Sequence, residues 1–158
     1  MKDISAAYAK DSEDTPCLRN RQRIYWTGGA AWATATFMHP ERSTMARFYI
    51  TRKDVDEFLA KLTDGSWNQT TPKIKFLESS TPAQQAKISA KAARDRQDVV
   101  DVFVREQLLS GVSIMKTVLQ ESNPSALIVF ARDSGFIYGY ALEKFVHGDK
   151  AERLSANR

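Results

Sequence analysis

Cysteine occurs once, at Cys17, so no disulfide can close within the chain, and one thiol suits a reducing compartment. Histidine occurs twice, at His39 and His147, and together with Cys17 these fall short of a zinc ligand set. Either histidine could act as a general base, but neither has a nucleophile at a telling spacing, so no catalytic residue is assigned. Gly28-Gly29 lacks the lysine and helix start of a phosphate loop. No apolar run approaches the roughly 18 residues of a membrane span, and Met1-Lys2-Asp3 is not followed by a hydrophobic signal core. Asp54, Asp56 and Glu57 fall in the first turn of a predicted helix, where they complement its dipole more simply than they bind a divalent ion. Glu143 and Lys144 lack the spacing of a nuclease pair, and no internal repeat or low-complexity segment is found. These absences lead to the expectation of a cytoplasmic, non-enzymatic protein with no metal, cofactor or membrane partner.

What is there reads as one α+β domain over residues 19–145, preceded by a mobile arm (1–18) and followed by a polar tail (146–158). Arg19, Arg21 and Arg23 alternate into Ile24-Tyr25-Trp26, and the run Ala31 to Met38 follows Gly28-Gly29, which together predict two strands about a glycine turn. Met45 to Thr51 alternates Ala46, Phe48 and Ile50 with Arg47, Tyr49 and Thr51, predicting a third strand with one polar face. Val55, Phe58, Leu59 and Leu62 form the apolar stripe of a helix that opens at Thr51 and ends near Gly65. Lys73 to Leu77 alternates as a short fourth strand. Thr81, Pro82 and Gln84 supply a capping box and a proline in the first turn, so a helix starts there.

Val99, Val100, Phe103, Val104, Leu108, Val112, Met115, Val118 and Leu119 recur near a 3.6-residue period, predicting a core helix over 98–121. Ser110-Gly111-Val112-Ser113 either bends that helix or divides it, because glycine costs about 1 kcal/mol in a helix interior and Ser113 is a natural N-cap. The divided form resembles a helix-turn-helix whose second helix presents Ser113, Lys116, Thr117 and Gln120 to base edges or phosphates. Ser122-Asn123-Pro124 ends the helix. Ala126–Arg132 and Phe136–Leu142, joined by Asp133-Ser134-Gly135, predict an apolar β-hairpin central in the sheet, with Gly139 allowing close packing. The full expectation is an antiparallel or mixed sheet of about six strands with helices packed on one side.

The net charge of +4 is modest, but it is segregated. Residues 19–53 hold seven Lys or Arg against one acid, residues 54–65 one against four, and residues 73–96 six against two. Two basic blocks thus flank an acidic segment, and they point to nucleic acid, DNA or RNA, as the partner. In the first block the candidate ligands are Arg19, Arg21, Arg23, Arg42, Arg47, Tyr49, Arg52 and Lys53, with Arg47 and Tyr49 facing one way on the third strand. An aromatic beside arginines suits unpaired bases and phosphates. In the second block Lys87, Lys91 and Arg94 recur on one helix face. The alternative reading is a protein-interaction module, an inhibitor, adaptor or subunit of a homo-oligomer.

Overall fold

The strand at the centre of the sheet comes last in the described chain. The computed structural model describes residues 19–69, 71 and 73–132, and in them the order is β1 (Arg23–Trp26), α1 (Gly29–Met38), a 3-10 turn at Pro40–Arg42, β2 (Arg47–Ile50), α2 (Arg52–Asp64), α3 (Pro82–Val102), α4 (Arg105–Glu121) and β3 (Leu127–Ala131). β3 lies between β1, to which it is parallel, and β2, to which it is antiparallel.

The α+β class holds, and the sheet is mixed, but the described residues form three strands rather than about six. Ala31–Met38, expected as a strand, belongs to α1. Its Ala31, Ala33, Thr34, Ala35, Thr36 and Phe37 are all buried, so no polar face marks the helical period and a short apolar run reads equally as strand or helix. Alanine, the best helix former, decides the local preference. Lys73–Leu77 forms no ladder. Its residues alternate between exposed and half-buried without a hydrogen-bonded neighbour strand. The hairpin expectation fails at β3, because both of its edges are taken by β1 and β2. The strand expected at 136–142, with its turn at 133–135 and Gly139, lies outside the described residues, as do the arm 1–18, the tail 146–158, Cys17, His147, Glu143 and Lys144.

α4 runs unbroken through Gly111, so the turn expected at 110–113 is absent and the helix-turn-helix reading is overturned. A β-carbon on Gly111 would lie 2.7 Å from the Ala30 methyl, so the glycine serves the close crossing of α1 and α4. The chain breaks earlier instead, at Phe103 and Val104, both in extended conformation. That break turns the Phe103 ring onto Gly29 and edge-on to Trp32, at 6.4 Å between centroids.

One face of the sheet carries Ile24, Phe48, Ile50, Ile128 and Phe130 into a single core shared with α1, α2, α3 and α4. Phe58 and Leu62 of α2 and Val112 and Met115 of α4 are its fully buried centre, each contributing about 1.5–3 kcal/mol. The helix starts at Thr51 and Thr81 are closed by capping boxes with Asp54 and Gln84, and α2 ends at Gly65 with a φ of 79°. The opposite sheet face is not part of this core, and the candidate site begins there.

Candidate nucleic-acid interface

Strand alternation places Arg23 and Tyr25 of β1, Arg47 and Tyr49 of β2, and Leu127, Val129 and Ala131 of β3 on the outer face. Tyr25 and Tyr49 both stand opposite Val129, one on each side. Arg23 is level with Leu127 and Arg47 with Ala131, so the two arginines occupy diagonal corners around the tyrosine row. A shallow depression of about 240 Å³ is lined by these four residues with Phe48 and Val129.

Arg47, Phe48 and Tyr49 also line a larger cleft of about 840 Å³, whose bases are Arg42, Arg47, Lys61, Lys73 and Lys75. Phe37, Met38, Phe48, Phe76 and Ile88 give it an apolar floor. Its acid, Glu41, is engaged by His39 Nδ1 at 3.1 Å and Arg42 at 3.4 Å. Arg42 in turn donates to the Tyr49 carbonyl at 3.0 Å and lies over the Phe48 ring at 5.5 Å. His39 has both ring nitrogens on carboxylates, the second on Asp54 at 3.0 Å, so neither nitrogen is left to act as a base on a substrate.

Beyond Thr44 the surface continues through a recess bearing Lys87 into a groove of about 420 Å³ lined by Lys87, Lys91, Arg94 and Arg132. Thr44 and Met45 line both this groove and the large cleft. Under the groove Asp95, 2% exposed, receives Lys91 and Arg132, the latter at 2.6 Å. Burial of that carboxylate leaves a lining without an acid, and Arg23, Arg47, Lys73, Lys75, Lys87 and Arg94 form no salt bridge among the described residues. The two basic blocks therefore meet in space although an acidic segment divides them in sequence.

Of the residues singled out in the sequence, Arg23, Arg42, Arg47, Tyr49, Lys87, Lys91 and Arg94 lie on this track. The others do not line it. Arg19 pairs with Glu121 at 3.4 Å and Arg21 is exposed in the segment before β1. Arg52 donates to the Leu119 carbonyl, to Ser122 Oγ at 3.0 Å and to the Asn123 carbonyl at 2.8 Å, holding the end of α4. Lys53 pairs with Glu57 at 3.6 Å, and Lys116 with Asp56 at 2.8 Å. Thr117 donates to the Ser113 carbonyl within α4, and Ser113 and Gln120 are exposed on that helix.

Sequence reasoning did not single out Tyr25, Lys61 or Arg132, and it held Lys73 and Lys75 only as members of the basic block 73–96. For Tyr25 a signal existed, since it follows Arg23 by two residues and shares its face. For Lys61 and Arg132 none did, because each reaches the track only through the packing of α2 and the end of β3. No family model, curated protein or solved structure matches this chain.

Proposed function

We propose that this chain is a non-enzymatic nucleic-acid-binding protein that holds the phosphate backbone along the basic track. One observation carries the reading: two basic blocks, remote in sequence, line adjoining clefts that meet at Thr44 and Met45. Cations that form no salt bridge among the described residues, such as Arg23, Arg47, Lys73, Lys75, Lys87 and Arg94, repel one another, and an anionic polymer relieves that repulsion while releasing its counterions. The clefts are open to solvent, as backbone contact requires, and the helix expected to read bases lines none of them.

The test is binding of labelled single-stranded DNA, duplex DNA and RNA between about 50 and 300 mM salt, the range over which phosphate contacts lose most affinity. Affinity is expected to fall steeply with salt. Lys73→Ala and Lys87→Ala should each lower the salt slope by about one, whereas Lys53→Ala should leave it unchanged. No binding at the lowest salt would overturn the reading. A protein-partner reading draws on Val102 and Val104, exposed to 62% and 58% on either side of Phe103. An apolar contact there would be nearly indifferent to salt.

A further inference from the structure

Resting on the nucleic-acid reading above, we propose that the ligand is single-stranded and that Tyr25 and Tyr49 stack two of its bases on the open face of the sheet. The two tyrosines are 58% and 52% exposed as residues, while Val129 between them is only 8% exposed. The tyrosines thus shield the central strand yet leave their own surfaces to solvent, on a face that contributes nothing to the core. They stand two strand spacings, roughly 10 Å, apart. Arg23 and Arg47 at the diagonal corners place a positive charge on each side of the tyrosine row, and the track leads away from Arg47 into the large cleft.

This combination selects the form of the nucleic acid. In a duplex the base faces are stacked on one another and a flat sheet cannot reach them, so two protruding rings would meet only the backbone. Unpaired bases expose a π-face to each ring whatever their sequence, and the arginines take the phosphates between and beyond them. The surface therefore favours a single strand with little base preference.

The experiment compares a short single-stranded DNA, the same sequence as RNA, and the corresponding DNA duplex, against the wild-type protein and Tyr25→Ala, Tyr49→Ala, Tyr25→Phe and Tyr49→Phe. Single strands should bind more tightly than duplex by about tenfold or more. Each alanine should weaken single-strand binding by about 5-fold to 100-fold with the salt slope unchanged, and each phenylalanine should bind like wild type, because stacking does not use the hydroxyl. Both positions are solvent-facing, so thermal melts should coincide, and the phenylalanine variants retain the ring if an alanine variant melts early. Binding that is unaffected by loss of the rings, or equal for duplex and single strand, overturns this inference and leaves the electrostatic reading standing. Absence of binding to all three nucleic acids overturns both. The DNA and RNA arms distinguish the two sources of the same unpaired-base chemistry.

Discussion

Arg52, first residue of α2, and Arg105, first residue of α4, cap each other's helix. Arg52 binds the carbonyls of Leu119 and Asn123 at the end of α4, and Arg105 binds those of Leu62 and Thr63 at the end of α2, at 2.5 and 2.6 Å. The two helices are therefore antiparallel, and each C-terminus, with its orphan carbonyls and partial negative charge, receives a guanidinium from its neighbour. The fork of arginine matches two carbonyls at once.

Removing either arginine strands carbonyls that its partner helix cannot satisfy alone. Arg52→Ala and Arg105→Ala should each cost about 2–3 kcal/mol, seen as a lower midpoint in urea, and lysine at either position should recover less than half of the loss. Arg52 stood among the sequence-derived phosphate ligands. Its replacement should change stability while leaving the salt slope of nucleic-acid binding as in wild type.

The contact between Gly111 and Ala30 makes an opposing pair of expectations. Placed in an exposed helix, Gly111→Ala would stabilise by about 1 kcal/mol. Here the new methyl would meet the Ala30 methyl at 2.7 Å, and forcing the helices apart costs about 1–3 kcal/mol. Gly111→Ala should therefore destabilise. Ala30→Gly should also destabilise by about 1 kcal/mol, yet the double variant should be more stable than the sum of the two, with a coupling of about 1 kcal/mol or more. A stabilised Gly111→Ala single variant would show that the helices do not cross so closely.

The same residues show how far the sequence could be read. The helix opening at Thr51, the capping box at Thr81, the glycine stop at Gly65 and the alternation of Arg47, Phe48, Tyr49 and Ile50 are local signals, and the elements they mark appear where they were expected. What failed depended on neighbours. Gly111 reads as a break until Ala30 is known to lie against it, and Phe103 gives no local sign of leaving a helix, since its ring is drawn onto Gly29 and Trp32. α1 was hidden because burial on every side removes the polar face that reveals a helix. For the site, the charge blocks were visible in the sequence and their meeting at Thr44 was not. The meeting of the two blocks at Thr44 rests on the packing of α3 against the 3-10 turn, including the bond from Ser43 Oγ to the Ile88 carbonyl at 3.0 Å.

His39 predicts a pH dependence of stability. Its ring is held between Glu41 and Asp54, and an imidazole can donate to both carboxylates only when it is protonated. The hydrogen bond with Glu41, helped by that with Asp54, outweighs burial and raises the pKa of His39 above its usual 6.5. Burial alone would raise the pKa of each carboxylate, but the bonds and charge of His39, with Thr51 at Asp54, reverse this and hold both below their usual range. Because the folded pKa of His39 is raised, its contribution is complete below about pH 6.5 and is lost as pH rises through that higher value. The depressed carboxylates contribute above about pH 4 and lose their contribution as pH falls through their folded values. Urea midpoints should be highest between about pH 5 and 6.5 and decline on both sides. His39→Gln should cost about 1–2 kcal/mol at pH 6 and less at pH 9, which flattens the alkaline decline. A wild-type midpoint constant from pH 6 to 9 would show that His39 binds protons equally in the folded and unfolded states, so that the two carboxylates do not hold its charge.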